Sequence, residues 1–297
     1  MEILFFFLIA VMRIAQLYSH KRASNIIDNG KTFFHYGGYY QFMSALFSII
    51  MLCVVGFYGI DLITVICAFL SALFFATDLF ANLEAVKETK LVICNVFSTG
   101  GLLIPCLLGI FLFDEPMGVW QWVGVAVFIL STTLLVSGTE KGKKMSFKTI
   151  IMLILVFLAN GFIMLVQKYF GVKVPNGNVA MFSFLTFGFN AIILFGCYFV
   201  VALSSNKKEG NAKLIEPLNK SLYLFGTILA FALFTINVLV TTLSKTIDSV
   251  ILFPISSGIL MLSSLLVGIV AFKEKLTVKN LIGVICSFAS IIIINVL

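Results

Sequence analysis

Two ionisable residues, Arg13 and Asp78, interrupt apolar stretches of this 297-residue sequence that are long enough to cross a lipid bilayer. A charge near the bilayer centre costs about 2.5 kcal/mol or more, so an ionisable residue inside a span is a functional candidate. Each lies about five or six positions from the basic end of its stretch, which is roughly 8–9 Å of helix. The equal depth predicts an ion pair that binds a substrate or couples transport to a proton. A structural alternative stays open: Arg13 extends its charge to the headgroups and Asp78 caps a helix end.

Uncharged polar residues inside the apolar stretches form a second set of candidates. An amide or hydroxyl group inside the bilayer either hydrogen-bonds a neighbouring helix or faces a wet cavity. As a set, these residues predict a polar-lined cavity for a neutral or zwitterionic solute, although each one alone also fits a structural hydrogen bond. We predict that all of them except Asn190 and Thr241 join Arg13 and Asp78 in the substrate or coupling site. The set is Gln16, Gln41, Asn82, Asn95, Ser98, Asn160, Gln167, Asn190, Asn237, Thr241 and Ser257.

The composition places almost the whole chain in a membrane. Hydrophobic residues make up 61% of the sequence and charged residues 11%, whereas soluble globular domains have about 45–50% and about 25%. The formal net charge of +7 does not indicate nucleic-acid binding, because the Lys and Arg residues lie mainly in short loops, where they orient the chain in the bilayer. The sequence therefore predicts an all-α, multi-pass integral membrane protein whose surroundings are the lipid bilayer.

Ten apolar stretches in the sequence approach the roughly 20 residues that a transmembrane helix requires. Charged residues and clusters of Gly, Pro and Asn separate them. The ten predicted spans cover residues 2–19, 33–57, 60–82, 91–113, 117–138, 147–168, 179–203, 220–243, 248–272 and 277–297.

Two halves of the sequence resemble each other at an offset of 159 residues, which aligns Phe113–Glu115 with Phe272–Glu274 and Ser98 with Ser257. Each half contains five spans, an odd number, so the second half must enter the membrane in the opposite orientation. The loop charges agree with this inversion. Lys and Arg are concentrated in loops one and three of the first half and in loops seven and nine of the second. Loops two and four, the counterparts of seven and nine, have none.

The predicted architecture is therefore ten transmembrane helices arranged as two inverted five-helix repeats. The repeats are residues 1–138 and 147–297, joined by a basic loop at 139–146. The charge bias predicts that the odd-numbered loops are cytoplasmic and that both termini lie outside. The counterparts of Arg13 and Asp78 in the second repeat are Met164 and Asn237, so charge lies on one side of the duplication only.

The end of each half carries one pattern: a helix of small residues, a short turn with Phe-x-Glu, then Gly and a final apolar helix. It reads FLFDEPMGVWQWVGVAVFIL in the first half and VAFKEKLTVKNLIGVICSFA in the second. This layout resembles the drug/metabolite transporter superfamily, in particular its ten-helix EamA-like members. The resemblance implies a secondary carrier that moves a small metabolite or drug through a central cavity by alternating access. The sequence departs from the family where Pro254 has Asn95 as its counterpart, and where loop two lacks a basic run.

Other function classes lack their sequence signatures. An intramembrane enzyme requires a nucleophile with a base, or metal ligands, and the sequence has no H-E-x-x-H or G-x-S-x-G motif. A channel requires rings of repeated charge or a Gly-rich filter, and the sequence has neither. Because there is no P-loop, we expect no cofactor and a driving force from a proton or sodium gradient or from solute exchange. A non-transporting membrane partner or receptor is the alternative function.

Three further groups of residues have structural interpretations. Glu115 and Glu274 lie beside the start of the last helix of each half, where the helix dipole favours an acidic group. Trp120 and Trp122 begin the fifth span and a tyrosine cluster begins the second, as in an aromatic belt at the membrane surface. Alternatively, the tyrosines stack against a substrate. They are Tyr36, Tyr39 and Tyr40.

Overall fold

A computed structural model describes residues 2–57, 60–112, 118–137, 146–174, 176–209, 217–243 and 249–296. Within these ranges the chain is almost entirely helical and contains no β-strand. The helices are α1 (Glu2–Ser24), α2 (Gly30–Val55), α3 (Leu62–Glu88), α4 (Leu91–Gly100), α5 (Leu103–Leu112), α6 (Val119–Ser137), α7 (Phe147–Lys173), α8 (Val179–Glu209), α9 (Lys220–Leu243), α10 (Ser249–Leu266), which continues as a π-helical turn (Val267–Ala271), and α11 (Val278–Val296).

Six of the described helices are long and apolar enough to cross a membrane, namely α1, α2, α3, α7, α8 and α9. The other apolar helices are shorter over their described residues. Long apolar segments adopt helices because a bilayer offers no partner for a free backbone N–H or C=O group, and a helix pairs these groups internally. The predicted all-α, membrane-embedded protein is confirmed at this level.

Five helices extend beyond their predicted spans, namely α1, α2, α3, α7 and α8, and polar side chains lie at the extended ends of the first two. The first helix continues to Ser24 instead of ending at residue 19, and the Ser24 hydroxyl donates to the carbonyl oxygen of Leu83 at 3.1 Å. The second helix begins at Gly30 instead of residue 33. Its N-terminus is capped by Asn29, whose side chain accepts a hydrogen bond from the backbone N–H of Thr32 at 2.7 Å.

The predicted fourth span is not one continuous helix, because the helix is interrupted between α4 and α5 at Gly101 and Leu102. The backbone there lies directly against α7. A Cβ atom on Gly101 would lie 2.6 Å from the backbone nitrogen of Gly161, so a larger residue would force the helices apart. The Asn160 side chain donates a hydrogen bond to the carbonyl oxygen of Ser98 at 2.6 Å. A polar group from α7 therefore pairs with the backbone where the helix is interrupted.

Most of the main helix contacts have a counterpart when each helix of the first half of the chain is exchanged with the corresponding helix of the second half. Helix α1 packs on α9 as α7 packs on α3, and α2 packs on α9 as α8 packs on α3. Helix α7 contacts α4 and α5, just as α1 contacts α10 and its π-helical turn. The contacts α2–α8, α6–α11 and α4–α10 are their own counterparts. These contacts are unchanged when α1 to α6 are exchanged, in order, with α7 to α11 and α4 and α5 count as one helix, but α8–α9 and α4–α11 lack counterparts of similar extent among the described residues.

The Glu274 carboxylate caps α4 and not α11, the helix that the sequence pattern predicts. It accepts hydrogen bonds from the backbone N–H of Leu91 at 3.0 Å and 3.1 Å. The Lys21 ammonium lies 3.5 Å from the same carboxylate and also donates to the carbonyl oxygen of Val86 at 2.9 Å. The connection before α11 is thereby tied to α1, α3 and α4. The corresponding residue of the first half, Glu115, lies outside the described residues.

The tyrosines of α2 do not form a belt at the membrane surface. Tyr36 is fully buried and Tyr40 is 4% exposed, while the Tyr39 hydroxyl shares a 2.8 Å hydrogen bond with the Thr227 hydroxyl of α9. The belt interpretation is therefore wrong for these residues, which pack in the interior between α2 and α9. By contrast, both tryptophans at the start of α6 are more than half exposed, as a belt requires; they are Trp120 and Trp122.

We expect Glu274→Gln to destabilise the protein, because a neutral amide is a weaker partner for the Leu91 N–H and for the Lys21 ammonium. Hydrogen bonds to a charged group contribute about 1.5–3 kcal/mol. The midpoint of thermal unfolding in detergent should therefore fall by several degrees.

Glu84→Gln is the matched control for this substitution. Glu84 pairs with Lys87 and Lys148, both at 2.8 Å, in a more exposed setting. Exposed ion pairs contribute only about 0–1 kcal/mol, so this variant should unfold close to the wild-type temperature. Equal midpoints for the two variants would contradict the capping role of Glu274.

Candidate functional site

A cavity lies inside the helix bundle, lined by side chains from α1, α2, α3, α4, α7, α9 and α10. It offers about 130 Å³ of space open to the centres of water-sized molecules, whereas one bound water requires about 10–15 Å³ by this measure. The cavity is therefore large enough for several waters or a compact solute. Its polar lining residues are Arg13, Gln16, His20, Tyr40, Asp78, Asn82, Asn95, Ser98, Thr99, Asn160, Gln167, Asn237, Ser256 and Ser257.

Helical spacing brings these side chains to one place. On each of the four long helices α1, α3, α7 and α9, lining residues recur at positions i, i+3, i+4 and i+7. This spacing defines a single helix face, so each helix turns one partly polar face inward and leaves apolar residues for its other contacts. The four sets are residues 13, 16, 17 and 20; 75, 78, 79 and 82; 160, 163, 164 and 167; and 233, 236, 237 and 240.

Ten of the eleven residues predicted to form the site line this cavity. The exception is Gln41, which is buried and donates a hydrogen bond to the Tyr40 hydroxyl at 3.1 Å. The role of Gln41 in the site stays a prediction, because Gln41 contacts a lining residue but does not itself line the cavity. Asn190 and Thr241 are buried and also lie outside the cavity lining.

Arg13 and Asp78 face the same cavity but do not form the predicted direct ion pair, since no pair of their charged atoms lies within 4.0 Å. Arg13 donates from Nη1 to the side-chain oxygen of Gln16 at 3.0 Å. The Nε atom of Arg13 and the Oδ1 atom of Asp78 are buried and have no hydrogen-bond partner in the described parts of the chain. The helix-cap alternative is wrong for Asp78, because it lies within α3, whose N-cap is Asp61.

Several lining amides are held in place by the protein. Gln167 of α7 donates to the side-chain oxygen of Asn237 of α9 at 2.7 Å, and Asn237 donates to the Ser183 hydroxyl of α8 at 2.8 Å. Between α3 and α4, the Cys94 thiol lies 3.4 Å from the side-chain oxygen of Asn82. These residues therefore fill both predicted roles, because they connect helices and also line the cavity.

Four polar residues of the lining are not among the residues predicted to form the site. Thr99 and Ser256 each lie next to a predicted residue, so the helix face was identified but not its full width. His20 lies just beyond the predicted first span of residues 2–19, but α1 continues past it to Ser24. Tyr40 was assigned to a surface belt. The sequence could have predicted His20 as a lining residue, because a helical wheel places it on the same face as Arg13 and Gln16.

Comparison with known proteins shows a shared fold and no function. No protein-family model matches the chain, and no curated protein matches it. A solved crystal structure, described only as that of a protein, is similar over 96% of this chain and 97% of that chain. Its TM-score is 0.61 and its sequence identity is 13%, so the similarity concerns the fold alone.

We expect Asn237→Ala to destabilise the protein, because it leaves the Gln167 amide and the Ser183 hydroxyl without their partner. An unsatisfied buried polar group costs about 1–3 kcal/mol, which should lower the unfolding midpoint in detergent. Thr235→Ala is the control on the same helix, since the Thr235 hydroxyl bonds only the carbonyl oxygen of Phe231 at 2.8 Å. If Asn237→Ala unfolds at the same temperature as this control, the amide chain contributes nothing to stability.

Proposed function

We propose that this chain is a secondary active transporter of a small metabolite or drug, of the EamA-like type within the drug/metabolite transporter superfamily. The observation that carries the proposal is a polar cavity inside an otherwise apolar helix bundle, lined from both halves of the chain. Polar and ionisable residues that face the interior of a membrane protein mark substrate and ion pathways. The structure with the same fold adds no support for a substrate, because it resembles this chain at only 13% identity.

The proposal includes ten spans in two inverted five-helix repeats. In this arrangement α4 with α5 forms one interrupted span, and α10 with its π-helical turn forms its counterpart. Interrupted helices beside a central site are typical of transporters built from inverted repeats. The exchange of helix contacts described above supports a duplicated architecture, and the loop charges support its inversion.

Transport by this protein would run on an existing gradient, since the sequence has no nucleotide-binding motif. The driving force is a proton or sodium gradient or the exchange of one solute for another. Asp78 is the candidate coupling residue, because it is the acidic side chain among the cavity-lining residues that the structure describes. Alternating access requires that the cavity open in turn to each side of the membrane.

Membrane topology tests the ten-span architecture. In a variant without native cysteines, we expect Gly118→Cys, before α6, to react with a membrane-impermeant maleimide on intact cells. Ser146→Cys, before α7, should react only after permeabilisation. The expectation follows because α6 separates the two positions across the bilayer. The reverse pattern would contradict the predicted orientation, and reaction of both from the same side would contradict a membrane-crossing α6.

A solute screen tests the transport function. We expect at least one compound among amino acids, nucleosides, sugars and cationic drugs to raise the unfolding temperature of the purified protein. A ligand at 100 times its dissociation constant contributes about 2.7 kcal/mol. The same compound should exchange across proteoliposomes that contain the protein, and Asp78→Asn should weaken this exchange.

Glu84→Gln is the matched control, because it removes an acidic group from the same helix outside the cavity. It should bind and transport like the wild type. A solute that binds but does not cross the membrane would favour the receptor alternative. The absence of any bound or transported solute across all four classes would contradict the proposed function.

A further inference from the structure

We infer that the cavity takes a small zwitterion, with Arg13 binding its anionic group and Asp78 its cationic group. The inference rests on the proposed function and specifies its substrate class. It starts from two opposite charges that share one cavity and attract each other without forming a direct ion pair. Each keeps a buried polar atom without a partner in the described chain, Nε on Arg13 and Oδ1 on Asp78.

An unpaired charge inside a membrane protein is expensive, and the cost is offset only by an opposite charge or by several hydrogen bonds. Within the described parts of the chain, Arg13 has one hydrogen bond, to Gln16, from a guanidinium group that carries five N–H donors. An anionic group of a ligand satisfies the remaining donors in the fork geometry that arginine prefers. A cationic group of the same ligand donates hydrogen bonds to the Asp78 carboxylate and compensates its charge.

A solute with both charges fits better than a solute with one. A carboxylate bound at Arg13 without an ammonium group is repelled by the Asp78 carboxylate in the same low-dielectric space. A lone cation at Asp78 is disfavoured by Arg13 for the same reason. A zwitterion leaves neither charge uncompensated, so the cavity selects for the pair of groups and not for net charge.

The rest of the lining fits a compact and partly apolar solute body. Leu229, Leu233, Ile236 and Val240 follow one another along the cavity face of α9. The apolar surface of this helix lies in the same cavity as the charged residues of α1 and α3, and Phe75 adds an aromatic ring.

A series of probes with matched bodies tests this inference. Alanine, leucine and phenylalanine are each compared with the corresponding amide, which keeps only the cation, and with the corresponding acid that lacks the amino group, which keeps only the anion. Binding is measured by thermal stabilisation of the wild-type protein, at a pH where amines are protonated and carboxylates ionised. We expect at least one zwitterion to bind at least about tenfold more tightly than both of its analogues.

Two variants then assign the charges. In Asp78→Asn, the protein should no longer prefer the zwitterion over the acid but should still prefer the zwitterion over the amide. In Arg13→Gln, it should no longer prefer the zwitterion over the amide but should still prefer the zwitterion over the acid. The matched controls, Glu84→Gln and Arg22→Gln, each remove one charge from the same two helices outside the cavity, and both preferences should survive in them.

The outcomes separate this inference from the proposed function. If no zwitterion binds more tightly than both analogues, while a solute of another class binds and is transported, the inference is overturned and the transporter stands. If nothing binds or is transported, both fail. If either cavity variant does not fold, the wild-type probe series still decides, because it requires no substitution.

Discussion

The structure depends on one constraint: a polar group inside a bilayer must find its partner within the protein, because lipid offers none. Within the helices, most backbone N–H and C=O groups form hydrogen bonds with each other. Where the helix is interrupted between α4 and α5, the Asn160 side chain supplies a donor to the Ser98 carbonyl oxygen. Polar side chains follow the same constraint, and they converge on one internal space. The cavity is therefore a direct consequence of placing polar residues on single faces of otherwise apolar helices.

Helix ends obey this constraint too, and they show how distant parts of the chain become linked. The first N–H groups of α2, α3 and α7 receive acceptors from the residue just before each helix, Asn29, Asp61 and Ser146. Helix α4 has Lys90 at that position, which provides no side-chain acceptor. The missing acceptor comes from Glu274, far along the chain. A local deficiency in the first half is thus satisfied by a residue of the second half.

Much of this arrangement could be predicted from the sequence, because polarity inside a long apolar run has few structural outcomes. The helical class and ten cavity residues follow from that rule alone. The rule does not predict how a helix is rotated about its axis. This rotation places Tyr40 in the cavity lining and leaves Gln41 outside it, in contact with Tyr40. The rule also cannot give contacts between distant segments. The predicted fourth span is interrupted where Gly101 lies against Gly161, and neither glycine reveals its partner in the sequence.

The charges of the cavity do not share the symmetry of its helices. Met164 and Asn237, the sequence counterparts of Arg13 and Asp78, line the same cavity and carry no charge. In the proposed inverted repeat, the two halves exchange conformations as the cavity opens to one side and then to the other. A solute held by ionic contacts at the proposed site then remains with α1 and α3 throughout, because the charged residues of the described cavity lining lie on these two helices. Helices α7 and α9 contact it through amide and apolar groups, which cost less to release. Under this proposal, the duplication supplies two similar conformations, while the unequal charges determine which half retains the solute between them.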